Sequence, residues 1–125
     1  MSYTAASHQE AREDMGRGEH LGEFEALVLA AVLRVGVGAN GTAVYEEMEA
    51  RSGRSPSLPA VHVTLRRLEE KGLLASEVGE RSERGGRPRR YYRVTSEGVR
   101  SLEKFRDMWR KVWSGLRWPD PERLS

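Results

Sequence analysis

The apolar residues of this 125-residue chain change their spacing along the sequence, and each change predicts a different element. From Leu21 to Val35 the residues are strong helix formers and apolar on nearly every face, which predicts a helix packed on several sides. The glycine-rich stretch 36–41 ends that helix. A second helix is predicted to follow, with Thr42 as its N-cap. Its inner face comprises Val44, Tyr45 and Met48.

A third helix is predicted from Leu58 to Lys71, with Ser57 at its N-cap and Pro59 in its first turn. Residues spaced by three or four form one apolar stripe, which predicts the packed side of the helix. That stripe comprises Leu58, Val61, Leu65 and Leu68. The opposite side presents Pro59, Val63, Arg66, Arg67 and Glu70, with His62 and Thr64 on the two flanks.

After Gly72 the pattern alternates with a period of two, which predicts strands over Leu73 to Val78 and Arg90 to Thr95. The intervening stretch 79–89 is rich in Gly and Arg and is predicted to be a solvent-exposed hairpin tip. From Arg81 to Arg93 there are six Arg and one acid, a local charge of +5 in a chain whose net charge is +2. Positive charge is therefore concentrated on the hairpin.

The last predicted helix begins near Thr95 and continues to about Leu116. Its apolar face extends over six turns, which is longer than a domain of this size covers with its own core, so a partner chain is expected to pack on it. After Val99, the residues of that face form the predicted dimer interface: Leu102, Phe105, Trp109, Val112, Trp113 and Leu116. Two interpretations of Trp109 and Trp113 stay open, a hydrophobic dimer seam or a cleft at that seam in which a flat aromatic ligand stacks.

Three helices followed by a two-stranded hairpin with a basic tip have the layout of a winged helix-turn-helix, so the predicted fold class is α+β and mostly α. We expect the chain to divide into a flexible arm (1–20), a DNA-binding domain (21–95), a dimerisation helix (96–118) and a tail (119–125). The third helix is expected in the major groove of double-stranded DNA and the hairpin along its backbone. The predicted DNA contacts are Ser57, Pro59, Ala60, His62, Val63, Thr64, Arg66, Arg67, Lys71, Arg84, Gly85, Gly86, Arg87, Arg89 and Arg90.

Other chemistries find no support in the sequence. The chain has no Cys, its three His are isolated, and neither a metal site nor a cofactor is predicted. The G-x-G-x-x-G pattern at 36–41 follows a helix instead of a strand, which excludes a dinucleotide fingerprint. No catalytic motif is present, and no apolar run approaches the roughly 20 residues of a membrane span. We therefore expect a cytoplasmic protein that is not an enzyme and does not enter a membrane.

Three motifs in the chain resemble the PadR family of winged-helix transcriptional regulators: LGEFEALVLAAVLRVG, SLPAVHVTLRRLEEKGLL and RGGRPRRYYRVTSEGVRSL. The resemblance covers about Leu21 to Leu116. It implies a homodimeric repressor whose C-terminal helices pair and which binds an inverted-repeat operator. It also implies that Trp109 and Trp113 can bind a small aromatic effector at the dimer seam. Pro59 and His62 stand where family members commonly have Gly and Tyr, which implies a different half-site.

One alternative is a protein-interaction module that has the winged fold but docks an acidic partner through the same basic surface. Such a module would bind DNA without sequence preference. A complex that survives excess random DNA distinguishes the regulator from this module.

Overall fold

A computed structural model of the chain describes residues 21–53, 56–79 and 88–124. The elements are α1 (Glu23–Val35), α2 (Gly41–Ser52), α3 (Leu58–Glu70), β1 (Leu74–Val78), β2 (Arg90–Val94), α4 (Ser96–Trp113) and a short 3₁₀ turn (Pro121–Arg123). The two strands pair antiparallel, which confirms the predicted class of a mostly helical chain with a hairpin. None of the helices in these ranges has both the length and the apolar character needed to cross a membrane.

Short polar side chains begin three of the helices. Ser57 caps α3 by accepting a hydrogen bond from the Ala60 amide at 3.2 Å, as predicted. Thr95 caps α4 in the same way through the Gly98 amide at 3.1 Å. The predicted cap of α2, Thr42, is wrong: the Asn40 side chain accepts from the Ala43 amide at 2.9 Å, so Thr42 lies inside the first turn.

Helix α1 lies at the centre of the molecule and contacts α2, α3, α4 and β2, as its apolar sequence predicts. The largest fully buried side chains come from four elements, α1, α2, α3 and β1: Val28, Leu29, Val32, Val44, Val61, Leu65, Leu68 and Leu74. Leu58 is an exception to the predicted stripe of α3, since it is 36% exposed. As the first residue of α3 it lies beyond the part of the helix that packs on this core.

The strand register places alternate side chains on opposite faces of the hairpin. Ser76 pairs with Tyr92, and Val78 pairs with Arg90. Tyr92 is buried whereas Arg93 is exposed, which confirms the period of two. The Tyr92 amide also donates to the Ala39 carbonyl at 2.9 Å, so the hairpin is bonded to the segment that leads into α2.

The junction between β2 and α4 is packed closely against the start of β1. The Thr95 amide donates to the Leu73 carbonyl at 3.1 Å, and the Thr95 hydroxyl donates to the Gly72 carbonyl at 2.7 Å. A Cβ at Gly98 would collide with the Leu73 carbonyl oxygen and would lie 2.7 Å from a methyl group of Val94. Glycine at 98 is therefore required by the close approach of α4 to the sheet.

Replacement of Gly98 by Ala is expected to lower the free energy of unfolding by about 1–3 kcal/mol, because the Leu73 backbone must move to admit the methyl group. Without that contact the same change would stabilise a helix by roughly 0.5–1 kcal/mol. Urea unfolding of Gly98→Ala, compared with Lys104→Ala at an exposed position of α4, measures the sign. A gain in stability would contradict the close packing.

Candidate nucleic-acid interface

The outward side of α3 carries most of the DNA contacts predicted for that helix. Pro59, His62, Val63, Arg66 and Arg67 are all exposed, as the helical spacing predicted. Ala60 is half-buried. Ser57 is exposed, although its hydroxyl also holds the helix cap. The structure thus presents one helix side that is free of core contacts and rich in donors.

Thr64 does not belong to that accessible side. It is only 6% exposed, so its predicted placement on a flank that reaches DNA is wrong. The reason is helical geometry: Thr64 follows Val61 by three residues and precedes Leu68 by four, which puts it on the packed stripe. A hydroxyl at this position is screened from a duplex by the neighbouring core.

Lys71 is also turned away from the outward side of α3. Its ammonium group donates to a Glu25 carboxylate oxygen of α1 at 2.7 Å, and both side chains are mostly buried. Burial alone would raise the pKa of Glu25, but the Lys71 hydrogen bond, the Gly22 amide and the charges of Lys71 and Arg67 together lower it. Lys71 therefore ties α3 to α1, and the prediction of a DNA contact there is not supported by its position.

A groove of about 700 Å³ separates the start of α2, the middle of α3 and the start of β2. The groove is open to solvent, and the Tyr92–Ala39 backbone bond joins two of the bordering segments, β2 and the residues before α2. Its lining residues are Asn40, Gly41, Thr42, His62, Arg66, Glu69, Pro88, Arg89, Arg90 and Tyr92. Four of the predicted DNA contacts, His62, Arg66, Arg89 and Arg90, therefore meet at one place.

The His62 ring forms part of the floor of this groove. It lies against Gly41, where a Cβ would collide with the imidazole. Gly41 is the first residue of α2 and is buried beneath the ring. The absence of a side chain at 41 thus lets the α3 side chain lie across the start of α2.

Positive charge dominates the groove. Arg66, Arg89 and Arg90 are exposed, and among the described lining residues Glu69 carries the single carboxylate. Arg67, next to Arg66 on α3, is exposed but lies outside the groove, where its charge acts on Glu25. Of the other predicted contacts, Arg84, Gly85, Gly86 and Arg87 lie outside the described residues.

Sequence reasoning missed the part of the groove formed by Asn40, Gly41, Thr42 and Glu69. Residues 40–42 are far from Glu69 in the sequence, and only the packing of α2 on α3 brings them to one groove. Only the basic hairpin and the outward side of α3 gave a sequence signal, because charge clustering is visible without a fold.

The second candidate surface is the distal half of α4. Leu102 and Phe105, predicted as dimer contacts, are half-buried against the chain's own core. Beyond them the apolar face is uncovered, with Trp109 37% and Val112 61% exposed. The apolar face thus exceeds the core of the chain, as its length predicted.

Four aromatic rings follow one another along this part of α4. The ring centroids of Phe105 and Trp109 are 5.8 Å apart, and those of Trp109 and Trp113 are 5.7 Å apart. Trp118, beyond the end of the helix, stacks on Trp113 at 5.3 Å with only 12° between the ring planes. We call these four side chains the aromatic row.

The model of the transcriptional regulator PadR-like family matches residues 30–104, from the middle of α1 to the first half of α4. The chain belongs to the PadR-like family. Its members are transcriptional regulators and not enzymes, so this PadR-like protein is a transcriptional regulator. No curated protein matches the sequence.

Solved structures of similar proteins agree with membership of the PadR-like family. A PadR-family transcriptional regulator from Eggerthella lenta is 30% identical, with 89% of this chain and 93% of that one covered and a TM-score of 0.62. A PadR-family transcription regulator from Clostridium difficile is 25% identical, with 73% and 91% covered and a TM-score of 0.62. A winged-helix DNA-binding protein from STIV shares the fold at 13% identity, with 78% and 99% covered and a TM-score of 0.57.

For this PadR-like protein, the Glu25–Lys71 pair should make stability depend on pH. Because the folded-state pKa of Glu25 is lowered, the pair contributes fully above the ordinary carboxyl value of 4.5 and is lost as the pH falls below it. Lys71→Met is expected to cost about 1–3 kcal/mol of unfolding free energy at neutral pH and much less near pH 3. Urea unfolding at both pH values, with the exposed Lys104→Met as control, tests this, and an equal cost at both would contradict it.

Proposed function

We propose that this protein is a homodimeric repressor that binds an inverted-repeat operator, with α3 in the major groove and the β1–β2 wing along the phosphate backbone. The observation that carries the proposal is the groove in which Arg66 of α3 and Arg89 and Arg90 of the wing meet, in a chain of net charge only +2. Guanidinium groups on two adjacent elements displace counterions from phosphates, and a solvated surface alone does not explain their convergence.

The side chains along α3 divide by chemistry. Arg66 forks onto guanine or phosphate, since its guanidinium group presents several donors in a plane. Val63 and Pro59 are exposed apolar groups that fit a thymine methyl group. Arg89 and Arg90 contact phosphates and set the register of the helix on the duplex. Sequence preference in this proposal comes from α3, and most of the affinity comes from the wing.

The uncovered face of α4 supports pairing with a second copy of the chain. Trp109, Val112, Trp113 and Leu116 would be removed from water when two such helices pack together. A two-fold dimer presents two α3 helices to successive major-groove segments, which is the geometry that reads an inverted repeat. Repression follows when the operator overlaps a promoter.

The aromatic row favours one further feature, release of the operator by a small flat aromatic ligand. The exposed parts of the Trp109 and Trp113 indoles present aromatic surface at the seam, and a planar molecule can stack on it. A ligand at the seam of the two α4 helices would change the separation of the two α3 helices. The simpler interpretation, a seam without a ligand, predicts the same dimer with no response to such compounds.

The central experiment selects bound fragments from genomic DNA and measures their affinity at several salt concentrations. A dimer that neutralises about six to ten phosphates should lose about 10³ to 10⁵ in affinity between 50 and 200 mM salt. Complexes with the selected duplexes should survive an excess of random DNA. Binding without any sequence preference would instead support the interaction module.

Arg66→Ala and Arg67→Ala form a matched pair, because both remove one guanidinium group from α3 but only Arg66 lines the groove. Arg66→Ala should cost about 1–3 kcal/mol per half-site and relax the base preference at one position. Arg67→Ala should change affinity much less. Arg89→Ala with Arg90→Ala should reduce the salt slope of the dimer by about 3 to 4 for every sequence. Equal effects of Arg66→Ala and Arg67→Ala would argue against the groove as the interface.

Pairing through α4 predicts that Trp109→Ala with Trp113→Ala raises the dimer dissociation constant by at least about 100-fold, since buried indoles dominate such interfaces. Operator affinity should fall with it, because single half-sites bind weakly. Sedimentation velocity and gel shift measure the two effects. Lys104→Ala with Lys111→Ala, exposed positions on other sides of the helix, should leave both unchanged. A double-Trp variant that remains a dimer would refute pairing through this face.

A further inference from the structure

A chain of three polar side chains connects α3 to the wing. The Ser76 hydroxyl of β1 donates to a Glu69 carboxylate oxygen at 2.6 Å, and the Arg90 guanidinium group of β2 donates to the Ser76 oxygen at 3.0 Å. Ser76 and Arg90 lie on the same sheet face, since Arg90 pairs with Val78 two residues along β1. We call these three side chains the relay.

The direction of the hydrogen bonds in the relay is fixed by charge. A carboxylate only accepts and a guanidinium group only donates, so the serine hydroxyl must donate to Glu69 and accept from Arg90. Hydrogen bonds with ionised partners are about twice as strong as neutral ones, and here both bonds have one. Glu69 therefore orients the Ser76 hydroxyl group, and Ser76 in turn orients the Arg90 guanidinium group.

The relay leaves Arg90 available for a ligand. One N–H of the guanidinium group donates to Ser76, and among the described residues its remaining donors have no partner. A direct salt bridge to Glu69 would occupy two of them and would hold the guanidinium group against α3. The interposed serine holds Arg90 by one edge while the side chain stays exposed at the rim of the groove.

We infer that Glu69 and Ser76 are positioning residues, which hold Arg90 at the angle required to contact a DNA phosphate while α3 occupies the major groove. This inference rests on the proposed DNA-binding function and names residues of that same groove. It also explains why a carboxylate in a basic groove is useful: its repulsion of phosphate is offset by a better-placed guanidinium group.

Removal of the Glu69 carboxylate should weaken DNA binding if Glu69 positions Arg90, and should strengthen it if Glu69 only repels phosphate. Glu70 is the neighbouring residue of α3, exposed and without a partner among the described residues. Glu70→Ala removes one negative charge and should tighten duplex binding by about two- to fivefold. Glu69→Ala removes the same charge but also the anchor of Arg90, and should weaken binding by about three- to tenfold.

Ser76→Ala tests the relay without any change of charge, and should weaken binding by a similar factor. In the Arg90→Ala background, Ser76→Ala should cause no further loss, and Glu69→Ala should behave as Glu70→Ala does. Glu69→Gln keeps an acceptor for Ser76 and should lose less than Glu69→Ala. Thermal unfolding of each variant separates these effects from loss of the fold, and Ser76→Ala decides the question if Glu69→Ala is unstable.

A measurement on the free protein keeps this inference distinct from the proposed function. In the wild-type chain, NMR should detect a slowly exchanging Arg90 guanidinium group, which becomes freely exchanging in Ser76→Ala and Glu69→Ala but not in Glu70→Ala. Failure of the wild type to prefer any duplex would overturn the proposed function. A wild type that binds its operator while Ser76→Ala binds equally well, or Glu69→Ala binds as tightly as Glu70→Ala, would overturn the relay alone.

Discussion

The backbone hydrogen bond from the Tyr92 amide to the Ala39 carbonyl is the contact on which the candidate interface depends. It joins β2 to the segment before α2, and so places the arginines at the start of β2 beside the outward side of α3. Burial of the Tyr92 side chain in the core shields this contact from water, and burial also raises the pKa of its hydroxyl. Without this contact the inner face of the wing would be held by side chains alone.

The wing is therefore attached to the rest of the chain in two places, at its base and along its inner face. Its base is held by Thr95 and Gly98 against the start of β1, and its inner face is held by Tyr92 and the relay. Backbone bonds and a close glycine contact make the base rigid. The relay holds Arg90 at the groove through side-chain hydrogen bonds instead.

Much of this architecture is predictable from the sequence, and the exceptions have physical reasons. Helix and strand periods gave the elements, because burial of one side repeats with the period of the backbone. Thr64 was misplaced because a small polar residue at a packed position does not interrupt that period. Lys71 was assigned to DNA because its partner, Glu25, lies 46 residues away. Glu69 was missed for a different reason: Ser76 is only seven residues away, but the two side chains meet only because β1 packs against α3.

Thr95 is the single residue between the end of β2 and the start of α4, and its hydroxyl and amide are both bonded to the start of β1. The sheet and the last helix are thus continuous, with no slack between them. An α-helix of 18 residues is about 27 Å long, so the tryptophan end of α4 lies far from Thr95. A tilt of the tryptophan end would therefore act on the sheet through Thr95 and on the core through Leu102 and Phe105, because no flexible linker between β2 and α4 absorbs it.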